Sequence, residues 1–197
     1  MNLPNKLTVS RFLLTIAFVA AIYSPLPYHE TIAMVLFISA AITDYYDGMI
    51  ARRDKLITNF GILMDPLVDK ILVCSAFIAF VGRGWLPAWM AVIIVARELA
   101  VTGLRLLAAS KSVMLSAEAL GKCKTTMQII AIVSTLVRGS YTQWGKWSEV
   151  FFSFPIFGVP WVDLFTVAAQ WLAVFLTLLS GVQYMWRNRN LYIHDVG

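Results

Sequence analysis

Long apolar runs alternate with short polar breaks along most of this chain. Six runs are long enough to be helices of membrane-spanning length: residues 6–23, 31–52, 61–81, 87–109, 117–137 and 161–186. At a rise of about 1.5 Å per residue, about 20 residues cross a hydrocarbon core. The first run stops at Ser24-Pro25-Leu26-Pro27, which cannot continue a helix. The piece Val150-Phe151-Phe152-Ser153-Phe154-Pro155 is apolar but too short to span, and reads as interfacial. No repeat, low-complexity stretch or second domain interrupts the pattern. The expectation is one domain over residues 1–197, an all-α integral membrane protein with a six-helix bundle.

Composition agrees. Hydrophobic residues make up 59% of the chain and charged residues 14%, against about 45–50% and about 25% in soluble domains. The formal charge is +5. With a cytoplasmic N-terminus, Lys6, Arg52, Arg53, Lys55, Lys111, Lys122, Lys124, Arg187 and Arg189 fall at the inner face. Only Arg83, Arg138 and Lys146 fall in outer loops. This is a positive-inside bias, so the basic excess reads as topology and anionic headgroups and not as nucleic-acid binding. Trp85, Trp89, Trp144, Trp147 and Trp161 cluster by the outer loops as interfacial anchors. No small-residue cleavage site follows the first apolar run, so no cleaved leader is expected. Cys74 and Cys123 match neither a metal pattern nor a disulfide framework.

Candidate chemistry lies between the second and third runs. Asp44 and Asp47 are three apart on one helix, and Asp65 and Asp69 four apart on the next, so each pair shares a face. A short loop joins these helices at one membrane surface, and the pairs can therefore face each other. Carboxylates this close repel, and each charge within a membrane helix costs about 2.5–3.5 kcal/mol on insertion scales. Cations between them remove both penalties. All-oxygen ligation favours Mg²⁺ or Mn²⁺, and four carboxylates suit two divalent ions about 3.5–4 Å apart, an arrangement used in phosphoryl chemistry. Gly48, Ala51 and Gly61 would let a bulky ligand approach the backbone. Pro66 is tolerated best if the third helix begins near Leu63.

The spacing D-x2-D-G-x2-A-R-x8-G-x3-D-x3-D, matched from Asp44 to Asp69, resembles the signature of the CDP-alcohol phosphatidyltransferases. That resemblance implies a six-helix membrane bundle, usually a homodimer, with a polar cavity open to the cytoplasm. It implies metal ligation by Asp44, Asp47 and Asp65, with Asp69 as general base and a further metal contact. It also implies a CDP site lined by Gly48, Ala51, Arg52 and Gly61.

A second cluster bears on the acceptor alcohol. Arg97, Glu98 and Arg105 lie on the fourth run, with Arg97 and Arg105 roughly on one stripe. Lys122 and Lys124 open the fifth at the same side. Glu98 can pair with Arg97, which leaves Arg105, Lys122 and Lys124 with no acidic neighbour in sequence except Glu118. Uncompensated positive charge beside a metal site suggests an anionic acceptor, with Arg105, Lys122 and Lys124 binding its phosphate and Arg97 in support. The segments Asn2–Thr8, Leu63–Lys70, Ala96–Arg105 and Leu120–Thr125 look like those of bacterial phosphatidylglycerophosphate synthases, with similarity running from Met1 to about Ala131. This branch implies a bacterial inner-membrane enzyme using CDP-diacylglycerol and sn-glycerol 3-phosphate, and makes membrane lipids its partners. Thr43 stands where Ser is expected and keeps the hydroxyl. Another acceptor, such as an inositol phosphate or phosphatidylglycerol, stays open, as does a cation transporter. Asn5 reads as a helix cap and Glu118 as a charge complementing the fifth helix. Arg11 is left between a snorkelling and a headgroup role. No role is given to His29 or His194.

Overall fold

The computed structural model describes residues 3–54, 59–111, 119–189 and 191; within these, the side chains of 3–8, 44–54, 59–69 and 119 lie outside the description. The described residues form seven α-helices: α1 (Leu3–Ile22), α2 (His29–Asp54), α3 (Asn59–Gly82), α4 (Ala88–Ser110), α5 (Ala119–Ser140), α6 (Lys146–Phe152) and α7 (Trp161–Arg187). A 3-10 turn at Tyr141–Gln143 leads into α6. A small antiparallel hairpin, β1 (Pro155–Ile156) and β2 (Val159–Pro160), leads into α7. The six long helices coincide with the six apolar runs. The segment read as a short interfacial piece is the end of α6 and the start of the hairpin. Phe157 and Gly158, both at positive φ, make the hairpin's two-residue turn.

Two expectations are corrected. Helix α1 begins at Leu3, so Asn5 stands inside the first turn and not at the cap; Pro4 suits that turn because its missing N–H would have no partner there. Helix α3 begins at Asn59, not near Leu63, so Pro66 lies inside it and leaves the Ile62 carbonyl without its usual helical donor.

Helix α1 packs on α2 and α3, α5 on α2 and α7, and α4 on α3 and α7. The core is apolar at its centre: Phe18, Phe37, Phe77, Phe80, Ile94 and Ile132 are fully buried, and the Phe18 and Phe37 rings lie 5.9 Å apart. Helix α7 is inverted relative to a soluble helix. Its buried positions include Thr166, Gln170, Thr177 and Ser180, whereas Phe165, Trp171, Phe175, Leu179 and Val182 are exposed. An apolar exterior around a partly polar seam is what hydrocarbon surroundings require. By length and composition α7 is long and apolar enough to cross a membrane. Val9–Ile22, His29–Thr43 and Lys70–Gly82 are shorter apolar stretches.

The end opposite the α2–α3 junction is locked by a buried acid. Glu30 Oε1 accepts from Arg83 Nη2 at 3.0 Å and Glu30 Oε2 from Gln143 Nε2 at 3.0 Å. His29 Nε2 lies 2.8 Å from Oε1, so the residue given no role belongs to this lock. Trp144 Nε1 donates to Thr31 Oγ1 at 2.8 Å, and the Arg83 guanidinium sits 5.1 Å from the centre of the Trp85 ring. Gly139 leaves room for that ring, since a Cβ there would lie 2.9 Å from it. Arg11 is buried, which excludes a snorkelling role. Glu30→Ala is expected to destabilise the fold by about 2–3 kcal/mol, because solvent gives Arg83 an alternative partner but Gln143 loses its acceptor; the check is the apparent Tm in detergent beside wild type.

Candidate active site

Helix rise sets the heights of the aspartates. Asp44 lies about 15 Å and Asp47 about 10 Å from the C-terminal end of α2, and Asp69 and Asp65 lie about 15 and 9 Å from the N-terminal end of α3. Counted along each helix from the end that leads to residues 55–58, Asp44 and Asp69 stand about equally far, as do Asp47 and Asp65. The side chains of all four, and those of Gly48, Ala51, Arg52 and Gly61, lie outside the described residues; their backbones are helical. Among the described residues no group of three or more His, Cys, Asp or Glu comes together. As a donor set, four carboxylates from two consecutive helices suit hard divalent cations. Thr43, just before the motif, turns its hydroxyl back to the Ser39 carbonyl at 2.8 Å and so stays within its helix.

Just deeper than Asp69, about 17–18 Å from the ends of α3 and α4, lie Lys70 and Glu98. Glu98 is buried and is the centre of a polar network. Its Oε1 accepts from the Lys124 ammonium on α5, and its Oε2 lies 3.1 Å from the Lys70 ammonium on α3. Arg97 Nη1 approaches Oε1 at 3.4 Å, as does Gln128 Nε2. Gln128 also donates to Thr177 Oγ1 at 3.1 Å, and Arg97 Nη2 to Ser180 Oγ at 3.3 Å, so α7 joins as well. The Thr177 hydroxyl returns its own proton to the Ala173 carbonyl at 2.6 Å. One carboxylate thus connects α3, α4 and α5 directly and α7 through single intermediaries.

This corrects the reading of Lys124. It has an acidic partner after all, and it is buried, so it is neither a free phosphate ligand nor a topological surface charge. The physical reason is position: the Lys124 side chain reaches from α5 to Glu98 on α4, and a lysine ammonium taken out of water settles on the available carboxylate. Glu98, expected to serve Arg97 alone, serves three cations. Arg105 and Lys122 are exposed, as a ligand site requires. Arg105 Nε donates to the Tyr184 hydroxyl at 3.2 Å, with its guanidinium 5.5 Å from the centre of that ring. Among the described residues Lys122 has no ion-pair partner. The stripe of Arg97 and Arg105 is real and faces α7. Glu118 lies outside the described residues.

Sequence reasoning did not assign Lys70, Gln128, Thr177, Ser180 or Tyr184. A signal existed for Gln128: an amide inside an apolar run is costly without partners and invites the question of what it binds.

The sequence model of the CDP-alcohol phosphatidyltransferase family matches residues 1–179. The chain belongs to that family. The match runs well past Ala131, where the resemblance had been placed. Among curated relatives, a CDP-diacylglycerol–glycerol-3-phosphate 3-phosphatidyltransferase of Bacillus subtilis is 38% identical over 95% of both chains. One of the same name from Rickettsia bellii is 34% identical over 93% of both. A probable phosphatidylglycerophosphate synthase of Mycobacterium tuberculosis is 35% identical over 100% of this chain and 84% of its own.

Within this family member, α4 and α7 meet closely at Gly181, where a Cβ would lie 2.8 Å from Arg97 Cγ. Gly181→Val is expected to push Arg97 off Ser180 and to lower stability by about 1–3 kcal/mol through overpacking. A fall in apparent Tm of several degrees, against no fall for Gly103→Ala, where a Cβ meets nothing within 4 Å, checks it.

Proposed function

We propose that this chain transfers the phosphatidyl group of CDP-diacylglycerol to sn-glycerol 3-phosphate, forming phosphatidylglycerophosphate and CMP. The observation that carries it is the family motif from Asp44 to Asp69 on two consecutive helices, with the buried Glu98 network of cations beginning at the next residue, Lys70. Relatives carrying the corresponding name match nearly their full length. In this reading six long helices cross a bacterial inner membrane, the N-terminus and the site are cytoplasmic, and the chain forms a homodimer. The charge asymmetry of the loops and the apolar exterior of α7 support it.

Asp44, Asp47, Asp65 and Asp69 would hold two divalent cations, Mg²⁺ or Mn²⁺, whose chemistry is to withdraw charge from the diphosphate and stabilise departing CMP. Gly48, Ala51 and Gly61 leave the helices bare where the nucleotide lies, and Arg52 meets a phosphate there. Asp69 takes the proton of the acceptor hydroxyl as its oxygen bonds to the lipid-side phosphorus and the bond from that phosphorus to CMP breaks. The acceptor's phosphate meets Arg105 and Lys122, two exposed cations at this end. Lys124 and Arg97 act from behind, through the field of the buried network.

The test is CMP release by purified protein from CDP-diacylglycerol and Mg²⁺ with a panel of alcohols: glycerol 3-phosphate, inositol phosphate, phosphatidylglycerol and free glycerol. Glycerol 3-phosphate alone should give a lipid product, and a product with another alcohol in its place overturns the acceptor assignment. EDTA should abolish release. Asp44→Asn and Asp69→Asn should each cost about 10³-fold or more in kcat, as losses of a charge-stabilising or proton-accepting group do. Arg105→Ala should raise KM for glycerol 3-phosphate about tenfold, the scale of one charge-assisted hydrogen bond. An unchanged KM removes Arg105 from the phosphate site.

A further inference from the structure

The Glu98 network holds more positive charge than its own carboxylate cancels. Three cationic groups, of Lys70, Lys124 and Arg97, stand on one carboxylate, a surplus of two charges within it. They differ in access. The Lys124 side chain is 1% exposed and that of Arg97 12%, whereas that of Lys70 is 32% exposed. A charged lysine at this depth does not face hydrocarbon tails without heavy cost, so its open side belongs to a polar space. Lys70 also directly follows Asp69 on α3. Its ammonium lies 3.1 Å from Glu98 Oε2, yet that oxygen accepts no well-directed hydrogen bond. The contact therefore anchors the charge while leaving the ammonium's N–H groups for another acceptor.

We propose that Lys70 binds the phosphate of the acceptor alcohol and that Glu98 is its positioning residue. This rests on the reading given under Proposed function. There, two divalent cations cancel four aspartates, so an arriving phosphomonoester dianion must be met by side-chain cations. Lys70 is the cation of the network that is both fixed in place and open to a ligand, one residue along α3 from the one proposed to receive the acceptor's proton. A lysine is a compact point charge with rotatable donors and suits a phosphate that must bind and then leave as part of the product. Glu98 holds that charge at one height on α3. Lys124 holds Glu98 in turn and does not reach the ligand itself.

Steady-state kinetics of the full chain in lipid nanodiscs, with apparent Tm measured alongside, test the assignment. Lys70→Met is expected to raise KM for glycerol 3-phosphate at least tenfold, to leave KM for CDP-diacylglycerol within twofold, and to change kcat at saturating acceptor less than threefold. Lys70→Arg keeps the charge and should recover most of the acceptor affinity. Glu98→Gln combined with Lys124→Met retains the surplus of two charges, leaves no buried ammonium unpaired, and should melt near wild type while showing the same selective rise in KM. A purely structural network would lower Tm and active fraction without moving one KM apart from the other. Lys70→Met with wild-type KM for glycerol 3-phosphate, or with both KM values raised equally, overturns the proposal. So does a folded Glu98→Gln, Lys124→Met variant with an unchanged acceptor KM. Failure of the underlying reading shows separately, as absent CMP release from the wild-type chain.

Discussion

One carboxylate in apolar surroundings organises this protein. Glu98 is buried with three cationic groups and an amide around it. A charge removed from water is tolerable only when its partners are close and well arranged. That requirement fixes more than one ion pair. It sets how α3, α4 and α5 sit against one another at the level just beneath Asp69. Through Gln128 to Thr177, and Arg97 to Ser180, it brings α7 into the same arrangement. An apolar bundle without this centre could slide or rotate its helices at little cost, because contact between apolar side chains and lipid is nearly as good as contact between helices.

The opposite end uses the same device for a different purpose. Glu30 collects Arg83 and Gln143 at the start of α2. There the partners come from connecting segments and include a stacked tryptophan. The lock closes the ends of the helices and leaves no cationic surplus comparable to that near the aspartates. The two acids divide the labour: one holds the scaffold shut, the other underlies the proposed site, which must admit charged ligands. Rigid support beneath a reacting centre matters because small displacements of catalytic groups cost large factors in rate.

The aspartate motif and the basic layer fit the same chemistry from two directions. In the proposed reading, carboxylates holding divalent cations would gather the nucleotide's phosphates, while Arg105, Lys122 and Lys70 would offer charge to a second phosphate. A lone polyol would need none of these cations. The placement of Gly181 shows how closely the helices must approach to keep Arg97 in position, since any side chain there would meet its Cγ.

Much of this was legible in the chain itself. Apolar run lengths marked the six long helices, and the three- and four-residue spacings of Asp44, Asp47, Asp65 and Asp69 placed each pair on one face, because helical periodicity is local and depends only on spacing. Family membership was legible for the same reason, through eight residues at set intervals. Helix starts were less so: Asn5 and Pro66 both lie inside helices that begin earlier than local signals suggest, since packing extends a helix beyond its propensities. The partners of Glu98 were not legible. Lys70 and Lys124 lie 28 residues before it and 26 after it, and nothing in the spacing tells which of several lysines will lean on a given acid. Only the tertiary arrangement of α3, α4 and α5 decided that, by taking the Lys124 ammonium out of water and setting it on the Glu98 carboxylate.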